Sequence, residues 1–228
     1  MIKIPTTDEL FEAAVHCGHS VGKLHPQMKP YTHSIKNNVH LIDLEKTKES
    51  LKKALDFVKE VAAKKGKILF VGTKATAQAA IKKYAEEANM PYVVERWLGG
   101  TLTNFSTINS LVKKLKKMEE EKAKGEWEKY TKRERLELDR EIERLNLFVG
   151  GIKNLDKIPE AIYIVDLREE RTAVREARKA KIKSIGLVDV NCDPTEIDFP
   201  IPANDDAVKS VELITRLVAE AIKEGGGK

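Results

Sequence analysis

Two spacings of apolar residues alternate along this chain of 228 residues. Residues 67–72, Lys67-Ile68-Leu69-Phe70-Val71-Gly72, form a continuous apolar run ending in glycine. Such a run suits a strand covered on both faces. Residues 92–95, 161–166 and 184–189 repeat the pattern, and Phe199-Pro200-Ile201-Pro202 is a short proline-flanked strand suited to a sheet edge. Residues 39–42 add one more short strand. Between the strands the spacing becomes helical. Residues 75–88 turn Ala77, Ala80, Ile81, Tyr84 and Ala88 to one side, and residues 169–179 do so with Ala173, Val174 and Ala177. An earlier helix at 47–64 buries Leu51, Leu55, Val58 and Ala62. A last helix at about 205–223 carries Val208, Val211, Ile214, Leu217, Val218 and Ile222, with Leu213 beside them, and the glycines behind it are expected to fray. This βα alternation predicts an α/β fold with a doubly wound, mostly parallel sheet.

Residues 105–149 break the alternation. Ile108, Leu111, Val112, Leu115 and Met118 follow helical spacing, and so do Leu138, Ile142, Leu145 and Val149. Gly125 and a polar run separate the two stretches, and Thr131-Lys132-Arg133-Glu134 fits a capping box. Each stripe is narrow, so each helix is expected mainly to cover the other, as an antiparallel coiled-coil hairpin. The rival expectation is a solvated surface helix pair. The expected organisation is an α/β domain of residues 1–104 and 150–228, with a hairpin inserted at 105–149.

Charge sharpens the picture only slightly. Net charge is +5 and charged residues make up 34%. That permits nucleic-acid contact without requiring it. The two cysteines do not make a disulfide framework. The N-terminus has no signal-peptide core and no run is long enough for a membrane span, so a reducing, cytoplasmic setting is expected, with no membrane.

Gly72-Thr73-Lys74-Ala75 joins a strand to a helix but lacks the spacing of either phosphate-binding glycine fingerprint. No nucleophile elbow occurs, and Cys17 between His16 and His19 lacks a second cysteine at redox spacing. All five histidines lie in residues 16–40, interleaved with Lys23, Lys29, Tyr31, Lys36, Asn37 and Asn38, while Pro26 and Pro30 hold this stretch out of helix. Such residue types in extended loops suit phosphate, sugar and unstacked bases. A zinc knuckle is the competitor, although the spacing matches no finger. Asp166, Asp189, Asp205 and Asp206 sit at strand exits, where carboxylates can converge on a divalent metal. Equally, Asp205 can be an N-cap and Asp206 a first-turn acid. The run Glu95-Arg96-Trp97-Leu98-Gly99-Gly100-Thr101-Leu102-Thr103-Asn104 suits close backbone approach to a ligand, with Trp97 packing at the hairpin root or stacking on a base.

Over nearly its whole length the chain resembles the family of bacterial small-subunit ribosomal protein two. The resemblance rests on residues 13–19, 26–31, 38–47, 67–74, 96–104, 147–153, 188–194 and 201–207, in the same order. It implies a flavodoxin-like α/β domain with the inserted hairpin and a non-enzymatic constituent of the small subunit that supports translation. Implied partners are small-subunit rRNA, neighbouring small-subunit ribosomal proteins and, in many bacteria, the mRNA-binding ribosomal protein one. The expected RNA-binding residues are Lys23, His25, Lys29, Tyr31, His33, Lys36, Asn37, Arg96, Gly99, Gly100, Thr103 and Asn104. No cofactor is required; one divalent metal such as zinc would map onto His19, Asp189, Asp205 and Asp206.

Overall fold

The computed structural model describes residues 3–227. Two sheets are present among them. The larger has five strands: β4 (Ile68–Val71), β5 (Tyr92–Val93), β6 (Ala161–Val165), β7 (Lys183–Val188) and β8 (Phe199–Pro202). All are parallel, in the spatial order β5-β4-β6-β7-β8. Numbered by appearance within that sheet this is 2-1-3-4-5, the flavodoxin-like order. The proline-bearing β8 occupies one edge, as its sequence predicts.

The apolar runs work because both faces are covered. Ile68, Phe70, Ala161, Tyr163, Val165, Ile185 and Leu187 enter one buried cluster, with α2 (Leu44–Ala63), α3 (Ala75–Glu87) and α7 (Val208–Gly226) packed against it. Their neighbours Leu69, Val71, Ile162, Ile164 and Val188 enter a second cluster on the opposite face, with α6 (Arg171–Ala180). Strand geometry turns successive side chains to opposite faces, so every position of these runs is used.

The second sheet was only partly legible. The strand expected at 39–42 is β3 (Val39–Ile42), but it pairs antiparallel with β1 (Cys17–Ser20) and β2 (Thr32–Lys36) outside the parallel sheet. Asn37 and Asn38 close the β2–β3 hairpin with φ of 50° and 62°. Two successive residues at positive φ are what a two-residue hairpin turn needs, and asparagine tolerates them. Residues 26–31 are not held out of helix: they form a six-residue 3-10 helix whose first residue, Pro26, sits where a missing N–H costs nothing.

Helices α4 (Phe105–Ala123) and α5 (Lys132–Val149) interrupt the chain between β5 and β6. They pack on each other across a 3-10 turn, tied by Lys114–Glu141 at 2.8 Å and Lys122–Asp139 at 2.7 Å. The capping box at Thr131 and Glu134 is present. Their stripes do more than cover each other. Ile108, Val112, Leu115, Leu145 and Val149 belong to the same buried cluster as Leu69 and Ile164 of the sheet. Gly151 then passes so close to β5 that a Cβ there would lie 2.3 Å from the Tyr92 carbonyl, so only glycine fits.

Two helix boundaries depart from the sequence pattern. Helix α7 starts at Val208, not near Asp205, and continues through Gly226, so Gly225 and Gly226 remain helical. Val208 itself is exposed. The N-cap position falls to Ala207 and not to Asp205, with no side-chain cap, and the Asn204 side-chain oxygen accepts from the amides of Asp206 at 2.9 Å and Ala207 at 3.2 Å in the turn before the helix.

Candidate nucleic-acid interface and strand-end carboxylate cluster

In this fold class ligands enter the crevice at the carboxyl ends of the strands, where the strand order reverses. Here that point lies between β4 and β6, and it is closed by direct bonds. Glu170, buried after β6, accepts from the Thr73 amide at 2.7 Å. Burial pushes the Glu170 carboxyl up from its ordinary pKa. Lys74 crosses the same gap to Asp166 at 3.0 Å, and also reaches Asp205 at 2.7 Å and Asp206 at 2.6 Å. Burial alone would lower the Lys74 pKa, but these carboxylates hold it well above the ordinary lysine value. The N-terminal segment is also tied to this edge. The His25 amide donates to the Val190 carbonyl at 2.7 Å, and the Asn204 side chain donates to the Ala14 carbonyl at 3.1 Å.

The four expected metal ligands lie together but divide in two. His19 Nδ1 lies 3.0 Å from Asp189 and its Nε2 3.4 Å from Asp206. The bond to Asp189, against the opposing effect of burial, raises the His19 pKa. These three residues offer ligand atoms within 4.8 Å of one another. Asp205 instead gives one oxygen to Lys74 and groups with Asp166 and Cys192. Burial and the neighbouring Asp166 and Asp189 push Asp205 up to about 7, and its second oxygen is buried without a partner. Lys74 already neutralises one oxygen of Asp205 and one of Asp206, so at Asp206 only Oδ2 is left to join His19 and Asp189, a donor set that fits one divalent ion. Neither cysteine fits a nucleophile: burial raises both thiols, Cys192 to about 12.

The residues expected to meet RNA fall on two segments. Lys23 and Lys29 are exposed, and His25 is half-buried at the N-cap of the 3-10 helix, where its Nδ1 accepts from the Gln27 amide. Tyr31 packs partly into the second hydrophobic cluster. His33, Lys36 and Asn37 are exposed along β2 and its turn, and Asn37 also serves the turn geometry. Four successive residues of β2, His33-Ser34-Ile35-Lys36, all face solvent. Arg96 and Gly99 are exposed beyond β5.

The turn after Arg96 is built inward around a residue that sequence reasoning missed. Glu176, on α6, accepts from the Trp97 indole at 3.0 Å, the Gly100 amide at 2.7 Å, the Leu102 amide at 3.0 Å, and the Thr103 amide and hydroxyl, both at 3.2 Å. Burial alone would raise the Glu176 pKa; the donors, the Gly100 amide foremost, outweigh it and hold the carboxyl below its ordinary range. Gly100 needs its glycine for backbone shape, with φ of +95°. Trp97 is buried in the second cluster beside the hairpin residues, the root position expected for it. The amides of Gly100 and Thr103 are thus already spent on Glu176, whereas Gly99 and Asn104 remain outward. The one available signal for Glu176 was an acid interrupting the small-residue face of a basic helix.

Met28, Trp97, Leu102 and the inner face of α6 share one hydrophobic cluster, so the 23–31 segment and the 96–104 turn lie over the same side of the sheet. No described helix is long and apolar enough to cross a membrane. A sequence model of a known family, described as ribosomal protein S2, matches residues 10–225.

Proposed function

The chain belongs to the ribosomal protein S2 family, whose members are structural proteins of the small ribosomal subunit, and on that premise we propose that it binds small-subunit rRNA without catalysing a reaction. The observation that carries this reading is the solvation of His33 to Asn37, with Lys23 and Lys29 exposed before them. A strand normally packs at least one face, yet β2 exposes both, and the lysines and histidines on and before it have polar reach but little core role. The bonded crevice between β4 and β6 supports a non-enzymatic role. The helix pair α4–α5 serves as a coiled-coil arm toward neighbouring ribosomal proteins, and docking of the mRNA-binding ribosomal protein one is carried over from the family resemblance.

Lysine or arginine that neutralises a phosphate releases counterions, so affinity falls with salt at about 0.9 log units per phosphate on duplex-like RNA. Replacing Lys29, Lys36 and Arg96 together by alanine is expected to shrink the slope of log affinity against log salt by roughly two to three. Equal slopes and equal affinities on small-subunit rRNA would remove these residues from the interface.

A divalent ion at His19, Asp189 and Asp206 belongs to the same proposal. It would tie the first strand to the ends of β7 and β8 as a structural clamp. His19 must be deprotonated to ligate, so occupancy is expected to fall on acidification. Metal analysis should find about one ion per chain in the wild type and none in the double variant His19→Ala, Asp206→Ala. Unchanged metal content in that variant contradicts the ligand set.

A further inference from the structure

We infer that the outer face of α6 is a second phosphate-binding element, an arginine ridge that meets the backbone of duplex rRNA and joins the two separate RNA-facing segments into one surface; the inference rests on the RNA-binding reading above. Of the ten arginines in the chain, four are Arg168, Arg171, Arg175 and Arg178. All four are exposed, while Ala173, Val174 and Ala177 take the inner face. From Arg171 to Arg178 the helix rises about 10 Å at 1.5 Å per residue.

Three features set this face apart from an ordinary solvated helix. First, its arginines stand alone. Arg133, Arg144 and Arg216 each pair with an acid on their own helix, while Arg96, another residue of the RNA-facing surface, makes no ion pair among the described residues. None of the guanidiniums of Arg168, Arg171, Arg175 and Arg178 has a carboxylate within ion-pair distance among the described residues. Second, the arginines extend to the start of the helix. Arg171 opens α6 directly after its N-cap Glu170, and Arg168 lies in the turn before it, although the dipole at that end favours negative charge. The dipole accounts for Arg178 and Lys179 in the last turn, not for the other end. Third, the cation type is selective. Most basic residues of the chain are lysine, but those from 168 to 178 are all arginine, whose planar fork matches phosphate in a bidentate way.

Position supplies the continuity. Glu176 of α6 holds the 97–103 turn that follows Arg96. At the other end Asp193 feels the charges of both His25 and Arg178. Helix α6 therefore bridges the 96–104 turn and the 23–31 segment. No exposed large aromatic of the described residues lies on α6, so there is no platform for stacking unpaired bases. A convex row of forks without aromatics fits duplex RNA, which is met through phosphates and 2′-hydroxyls across its shallow groove.

The test uses the full-length chain on small-subunit rRNA. Replacing Arg171, Arg175 and Arg178 together by glutamine is expected to flatten the salt slope by two to three, at about 0.9 per phosphate, with the melting curve retained. In parallel, mass spectrometry after phenylglyoxal treatment of the wild type should show these three arginines protected when rRNA is bound. This second readout needs no variant to fold. Unchanged slope with unprotected arginines overturns the ridge while leaving RNA binding itself standing. Protection in assembled subunits but not by naked rRNA would assign the face to an acidic protein and also overturn it. Failure of the wild type to bind rRNA at all would instead defeat the broader reading.

Discussion

At the scale of single residues, Glu176 does the most to shape the candidate interface. One carboxylate gathers five donors from a turn of seven residues, Trp97 to Thr103. Replacing it by glutamine keeps the size but turns an N–H donor toward amides that need an acceptor. Hydrogen bonds to a charged group contribute about 1.5–3 kcal/mol, so Glu176→Gln is expected to cost about 2 kcal/mol in urea unfolding. The pH dependence has a definite sign. Because the folded pKa is depressed, this stabilisation is present above the ordinary carboxylate range and is lost as pH falls through the lowered value. The glutamine variant should lack that acid-side loss. Equal stability of both proteins across pH would mean that the turn holds without the carboxylate. Lys74 is the second such residue. Removing its ammonium leaves the nearly buried Asp166 and Asp205 facing each other without a counter-charge, and breaking such a partnership costs about 3 kcal/mol. Thermal unfolding of Lys74→Met checks this; an unchanged midpoint would show that water already screens the cluster. Neither residue declared its partners in the sequence. Glu176 lies 73 to 79 positions from the groups it binds, and Lys74 lies 92 to 132 positions from its three aspartates. Pairings that distant are set by topology, not by local pattern.

At the scale of elements, what was legible depended on how each segment buries its side chains. The five parallel strands and four of the helices were readable because continuous apolar runs and helical stripes report two covered faces and one. The small antiparallel sheet was not, since β1 is half-buried throughout and β2 hardly buried, so neither shows alternation. Its best signal was the Asn37-Asn38 pair, a turn cue that lacks the more familiar glycine. The start of α7 misled for a local reason: Asn204 and Asp205 are both good cap types, yet Asn204 closes the turn ahead of the helix, Asp205 faces Lys74, and the N-cap position falls to Ala207 with no side-chain cap. For the hairpin, the stripes were visible but not their second role. Leu115 and Val149 join the cluster that reaches the sheet, and Met118, Trp127 and Ile142 extend that same cluster along the pair. Excising residues 117–140 with a short linker removes only Met118 and Trp127 from that cluster, and cooperative thermal unfolding should remain. Excising 106–148 should lower the midpoint by removing cover from the sheet. A multiphasic melt of the shorter deletion would show that the distal hairpin is required by the core.

At the scale of the whole molecule, a fold that often hosts cofactors has its entry edge occupied by its own side chains. Glu170 and Lys74 bond across the gap between β4 and β6, and His19 bonds to Asp189 beyond the end of β7. Melts with NAD, ATP or GTP should accordingly show no saturable rise, because a ligand that binds the native state raises stability by mass action. A saturable rise at micromolar nucleotide would contradict the closed crevice. What remains outward is a basic surface made of the 23–37 segment, Arg96 and the face of α6. The most direct measurement is sedimentation of extract containing the full-length chain, followed through a density gradient at low and high salt. The account predicts that the chain travels with small ribosomal subunits at low salt and is released as salt rises. A chain that stays with free soluble protein at every salt concentration would contradict it.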